Sequence, residues 1–264
     1  MPHSPPADVW ASGAAYEPYV GRWSRLVARE LMTWVGAERG DTWLDVGCGT
    51  GALTRTILES SPARIIAIDA SDGFASYARA TIDDPRAAFV VADARAIPCM
   101  DGIADVAVSG LVLNFVPQPE RAVSEMARVT RPGGTVAVYV WDYDAGMQMM
   151  RLFWDAAAAL DPAAAAVDEG RRFPLCQPEA LADLWRGAGL RDVETRALDI
   201  STRFTGFDDF WNPFLGGQGP APSYVAKLDA DARERLRERL RTQLPADGPI
   251  ALTARAWAVR GIRS

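Results

Sequence analysis

Two side chains common in catalysis are nearly missing from this 264-residue chain: Lys227 is the only lysine and His3 the only histidine. Schiff-base chemistry therefore has one candidate, and a histidine-centred triad only a residue close to the chain start. Cysteine is sparse too. Cys48, Cys99 and Cys176 are odd in number and show no CxxC spacing. That argues against a disulfide framework or a metal site, and for a reducing, cytoplasmic setting. No apolar run approaches the roughly 20 residues needed to span a bilayer. The start, MPHSPPADVW, lacks the charged-then-apolar pattern of a secretion signal. Residues 1–15 read as a flexible, proline-rich tail. Positive charge is also short. The 28 Lys and Arg face 34 Asp and Glu, a net charge of −6 that speaks against a nucleic-acid partner.

What is present is an ordinary globular composition, 49% hydrophobic and 23% charged. Residues 16–35 carry apolar side chains at helical spacing, among them Trp23, Val27, Leu31 and Trp34. Short apolar runs then alternate with helical stretches. Strands are expected at 43–46, 64–69, 88–91, 104–108 and 135–141, and helices at 52–59, from the Ser71 cap onward, and at 119–129. A turn is expected at 132–134. This rhythm points to a parallel sheet with helices on both faces, and continuously apolar strands fit burial on both sides. After residue 141 the pattern loosens. A helix at 178–187 and strands at 193–204 and 250–259 emerge among irregular stretches. The run ADARERLRERLRTQL (230–244) is a solvated helix with charges at i,i+3 and i,i+4.

The stretch WLDVGCGTGALT (43–54) is where the chemistry is densest. A glycine-rich turn between a buried strand and a helix brings backbone N–H groups close to a ligand. Its spacing is GxGxG (Gly47, Gly49, Gly51), whereas dinucleotide dehydrogenases favour GxGxxG. Asp69 ends the next strand and can accept hydrogen bonds from both hydroxyls of a ribose. Asp93 follows the third strand, where an adenine edge can be read.

These segments, together with IDAS, VVADARAIP, DVAVSGLVLNFV and VTRPGGTVAVYVWD, resemble the class I S-adenosylmethionine-dependent methyltransferases. The resemblance is to the ubiquinone/menaquinone-biosynthesis-like, type 11 small-molecule branch, and is specific over 41–142. It implies an α/β, Rossmann-like sheet of seven mostly parallel strands, in the order 3-2-1-4-5-7-6, with the last one antiparallel. It implies one domain over 16–264. Its core is 41–142 with 177–204 and 249–262, its cover helix is 16–36, and the insertions 143–176 and 205–248 close the cleft. S-adenosyl-L-methionine is the implied cofactor. Asp45 would reach its ammonium group, Gly47, Gly49 and Gly51 its methionine part, and Asp69 with Ala70 its ribose. Asp93 and Ala94 would hold adenine, Ser109 another part of the cofactor, and Arg22 of YEPYVGRW its carboxylate.

Candidates for chemistry stand at strand ends: Asn114 after the fourth, Asp142 and Tyr143 after the fifth. Asp142 can act as a base or cap the next helix. Tyr16, Trp141, Trp211 and Phe214 are candidate acceptor contacts, the last two alternatively core. The expected acceptor is a small molecule with an apolar or aromatic body, methylated by in-line displacement. The N/D-P-P-Y/F motif of exocyclic-amine enzymes is replaced by SGLVLNFV, and Cys99 precedes the fourth strand, where a packing role suits it. Two rival functions remain open. One is a catalytically silent S-adenosylmethionine-binding regulator. The other is a nicotinamide-dependent oxidoreductase, against which the glycine spacing and the missing Tyr-x-x-x-Lys pair both argue.

Overall fold

In the computed structural model, residues 17–36, 38–216 and 219–264 are described. Tyr16 and the expected tail at 1–15 lie outside them. Seven strands form one sheet: β1 (Thr42–Val46), β2 (Arg64–Asp69), β3 (Ala87–Val91), β4 (Ala104–Gly110), β5 (Thr130–Trp141), β6 (Arg191–Phe204) and β7 (Ile250–Ile262). Their spatial order is β3-β2-β1-β4-β5-β7-β6, as expected. The first five run parallel, and β7 pairs antiparallel with both β5 and β6.

Alternating side chains of each strand feed two cores. On one face Trp43, Val108 and Tyr139 pack with Trp23, Val27 and Leu31 of the helix Arg22–Val35. On the other, Leu44, Val46 and Val138 meet Val123 and Met126 of helix Pro119–Val129 and Trp185 of helix Pro178–Gly187. The helix Ala52–Glu59 has the bounds expected from sequence. Ser71 caps helix Asp72–Thr81, its hydroxyl accepting from the Phe74 N–H at 3.4 Å. Among the described residues, no helix is long and apolar enough to cross a membrane.

Two local features differ from the sequence expectation. The chain enters the cover helix through a π-helical turn, Glu17–Gly21. The expected turn at 132–134 lies inside β5, whose register against β4 shifts between Ala104 and Val106. Gly133 has φ +76°, and a Cβ on Gly134 would meet the Asp105 carbonyl oxygen at 2.5 Å. The glycines thus let β5 bulge and continue rather than turn away.

The helix Gln148–Leu160 and the segment 207–214 pack onto the first core. Phe153 of helix Gln148–Leu160 stacks on Phe214 with ring centroids 4.5 Å apart, and Tyr19 meets Phe214 edge-on at 5.8 Å.

Candidate functional site

A cavity of about 430 Å³ opens across the carboxyl ends of β1 to β5, where open parallel sheets take ligands. One end is built from the loops after β1, β2 and β3: residues 47–50, residues 69–71, and Ala92, Asp93, Ala94 and Arg95. The other end is walled by Leu111, Val112, Phe115, Tyr139, Trp141 and Tyr143, with Val20 and Ser24 of the N-terminal segment above.

The glycine loop is held by backbone bonds, two of them to the neighbouring strand β2. Gly47 and Cys48 both donate N–H bonds to the Ile68 carbonyl, at 2.7 and 2.9 Å, and Gly51 donates to Cys48 at 2.8 Å. Gly47 sits at φ +74°, where a Cβ would lie 2.6 Å from a Val112 methyl. At Gly51, with φ +84°, a Cβ would strike Ile82 at 2.4 Å. Gly51 starts the following helix and is not part of the cavity wall.

Asp69 joins two loops. Its carboxylate accepts the Gly49 N–H at 2.9 Å and the Ser71 N–H at 2.8 Å. Burial raises its carboxyl above the ordinary value, while those two N–H groups pull it back. Asp45 lies beneath the loop, fully buried and off the cavity wall. One oxygen accepts from the Thr54 hydroxyl at 2.6 Å, and Oδ1 has no partner. Burial pushes Asp45 up to about 7; the Thr54 bond opposes this and the Asp69 charge adds to it. Asp93 is gripped by Arg95 through N–H bonds at 3.0 and 2.7 Å, and that guanidinium holds its carboxyl down at about 2.

The wall therefore unites Gly47, Gly49, Asp69, Ala70, Asp93, Ala94, Trp141 and Tyr143 from the sequence candidates. The others stand elsewhere. Ser109 stays inside β4, 2% exposed and paired with Val138. Arg22 forms an ion pair with Asp209 at 2.7 Å and lies over the rings of Trp23 and Phe204, at 4.3 and 4.7 Å. Asn114 points its amide at the Cys176 sulfur, 3.7 Å away. Asp142 accepts the Ala145 N–H at 3.0 Å and so holds the turn after β5; it does not cap the next helix, Gln148–Leu160, whose N-cap is Met147 with no side-chain bond. Trp211 and Phe214 are buried among Phe153, Phe210 and Tyr19, which fits their core alternative.

Sequence reasoning passed over the stretch just after Ser109. Gly110, Leu111 and Val112 reach the cavity because β4 ends at Gly110, and Leu111 turns the chain at φ +65°. A bulky residue in that conformation is rare and is held here by its N–H bond to Tyr139 at 2.8 Å. Nothing in the apolar string SGLVLNFV marks where the strand stops. Phe173, from the first insertion, backs the aromatic wall, with ring centroids 5.0 Å from Phe115 and 5.8 Å from Tyr143.

Comparison with known proteins follows the same lines. Residues 44–138 match the family model described as Methyltransferase domain, Methyltransf_11. A malonyl-[acyl-carrier protein] O-methyltransferase of Hahella chejuensis is 38% identical over 92 residues, 34% of this chain and 33% of that protein. A demethylmenaquinone methyltransferase of Renibacterium salmoninarum is 34% identical over 117 residues, 44% of this chain and 46% of its own length. The match thus spans a third to a half of these relatives. A Haemonchus contortus phosphoethanolamine N-methyltransferase 2, solved with phosphomonomethylethanolamine and S-adenosylhomocysteine, superposes with TM-score 0.61 at 18% identity. That likeness covers 95% of this chain and 56% of the other, and is one of fold. Over residues 44–138 the chain thus matches a methyltransferase domain, set in a seven-stranded sheet of the fold its structural neighbours share.

Proposed function

We propose that this chain transfers a methyl group from S-adenosylmethionine to a small acceptor with an apolar or aromatic body. The observation that carries the reading is one cavity with two unlike ends: bare backbone and carboxylates over β1 to β3, aromatic side chains over β4 and β5.

The residues fit the cofactor. A Cβ at Gly47 has no room, so the main chain there is kept bare, and Asp45 Oδ1 is a buried oxygen still lacking a donor. When bound, the cofactor supplies a sulfonium-borne methyl group that is already electrophilic. Asp69, fixed by two backbone N–H groups, would hold the ribose with Ala70 beside it. Asp93 and Ala94 would hold the adenine. Gly47 and Gly49 would line the methionine part, and Asp45 below them would offset its ammonium charge. Val20, Ser24 and the aromatic wall would keep water from the reacting atoms. Trp141 and Tyr143 would orient the acceptor, and Asp142 would act by holding the turn after β5. Position contributes most of the rate in such a site, so no dedicated base is invoked.

Calorimetry with S-adenosylhomocysteine tests the cofactor half, with NAD as the contrasting ligand. S-adenosylhomocysteine is expected to bind, and Asp69→Ala to weaken it by at least about tenfold, as loss of a charged hydrogen-bonding group does. Binding of NAD instead, or unchanged affinity in Asp69→Ala, overturns the reading. Incubation with labelled donor and cell extract, followed by mass spectrometry for one added methyl, tests the transfer itself.

A further inference from the structure

Two carboxylates on the cavity wall, Asp69 and Asp93, are held by the same device up to a point. Asp69 accepts the Ser71 N–H and Asp93 the Arg95 N–H, each from two residues on and each at 2.8 Å. For Asp69 the other oxygen is fixed by main chain, the Gly49 N–H at 2.9 Å. For Asp93 it is fixed by a side chain. The Arg95 Nε–H reaches Oδ1 at 3.0 Å and Oδ2 at 3.1 Å, and a terminal N–H of the same guanidinium reaches Oδ2 at 2.7 Å. The Ala96 N–H closes the turn on the Asp93 carbonyl at 3.0 Å. This difference matters because Asp93 stands at the open rim, its side chain 46% exposed, where a carboxylate turns freely unless it is clamped. Among the described residues that line the cavity, Arg95 is the one cation.

An ionised carboxylate has about four lone-pair sites. The main-chain N–H and Nε–H of Arg95 fill those of Oδ1, and the terminal N–H takes one on Oδ2. A single acceptor position is left, at a fixed angle. In the order β3-β2-β1, Asp93 lies one strand spacing, about 5 Å, beyond Asp69. A ligand with its ribose on Asp69 therefore carries its base to Asp93. We propose that Arg95 is a positioning residue that sets base specificity: by fixing Asp93 it admits a 6-amino purine and rejects a 6-oxo purine. The proposal rests on the cofactor reading given above. On adenine the 6-amino group is the hydrogen-bond donor of the base edge. A 6-oxo purine sets an oxygen against the acceptor position instead, and its donor moves to the neighbouring ring nitrogen. A carboxylate free to turn can follow that donor, whereas one gripped by a planar guanidinium fork cannot.

The test is calorimetry on the full chain with S-adenosylhomocysteine and with S-inosylhomocysteine, its 6-oxo counterpart. The unmodified chain is expected to prefer S-adenosylhomocysteine by at least about tenfold, the effect of one hydrogen bond to a charged group. In Arg95→Ala that preference should fall to about threefold or less, while the melting temperature stays that of the unmodified chain, as suits an exposed ion pair. Arg95→Lys keeps the charge and loses the fork, so its preference should fall as in Arg95→Ala. Equal affinity of the unmodified chain for the two ligands overturns the proposal. So does a loss of both ligands by one common factor in Arg95→Ala, the mark of a residue that merely supports the loop. Full preference in Arg95→Lys overturns it as well, because charge alone then suffices. Failure of S-adenosylhomocysteine to bind the unmodified chain overturns instead the functional reading on which the proposal rests.

Discussion

Asp45 is fully buried, with Thr54 on one oxygen and nothing on the other, and its carboxyl stands near 7 rather than the ordinary 3.8. A folded-state value above the unfolded one means the native protein holds this proton longer than the unfolded chain does. The resulting stability is complete below about pH 4 and is lost as pH climbs through about 7. The displacement corresponds to something on the order of 4 kcal/mol. Burial moves Asp69 in the same direction. Thermal denaturation of the ligand-free protein should therefore show a melting temperature that falls from pH 5 to pH 8, and Asp45→Asn should flatten most of that slope. A cationic ligand group reverses the preference, since it favours the charged carboxylate. Affinity for S-adenosylmethionine should rise between pH 6 and pH 8, whereas methylthioadenosine, which has no ammonium, should show no such rise by calorimetry. At this scale the sequence was legible where a residue ends a strand. Asp69 ends β2 and Asp93 follows β3 on the cavity wall, whereas Asp45 stays inside β1, off that wall. Arg22 was not legible, because its partner Asp209 lies 187 residues away.

The glycine loop shows how an element can be specified by what it excludes. Gly47 and Gly49 both have positive φ, +74° and +53°, but only Gly47 is also crowded. A Cβ there lies 2.6 to 2.9 Å from three atoms of Val112, whereas nothing approaches Gly49 within 4 Å. Gly47→Ala thus adds a steric clash to the backbone strain, and Gly49→Ala adds strain alone, on the order of 1–2 kcal/mol. Urea denaturation should rank Gly47→Ala as the more destabilising, and Val112→Ala should recover part of its loss but none of that in Gly49→Ala. A non-additive cycle only for the first pair would locate the clash. Equal losses in the two alanine variants would show that the loop yields and that crowding does not define it. Helices and strands around this loop were readable because their signals are local: a cap at Ser71, an apolar run to Asp69, helix 52–59. The start of β5 was not, since the glycines at 133 and 134 serve a turn and a bulge equally well. The end of β4 had no marker at all.

Across the whole molecule, the alternation of elements implied a parallel sheet and the family resemblance its strand order, but the covering of the cavity depends on pairings between distant segments. Phe153 and Phe214, or Tyr19 and Met150, meet only in the folded chain. Their apolar character fits a core and a pocket alike, so sequence could not assign Trp211 and Phe214. The clearest such tie is Arg22–Asp209. It joins the start of the cover helix Arg22–Val35 to the short helix Phe207–Trp211, while Val20 and Ser24, two residues to either side of Arg22, face the cavity. Asp209 also accepts the Thr205 N–H at 2.8 Å, which anchors it to the segment after β6. Both charged side chains are 28% exposed, so the pair alone contributes about 1 kcal/mol or less to global stability. Its effect should instead be on the cover. Hydrogen exchange is expected to quicken in residues 19–28 of both Arg22→Ala and Asp209→Ala, with β1 and β2 unchanged. S-adenosylhomocysteine should leave both variants faster than it leaves the parent, by a similar factor, and the double variant should be no worse than either single one. That equality separates two roles for Arg22. A guanidinium acting through Asp209 gives matched losses, whereas one that grips the ligand carboxylate makes Arg22→Ala clearly the more damaging. Stopped-flow displacement of the bound product measures the factor directly, and a markedly larger loss in Arg22→Ala would return Arg22 to the ligand.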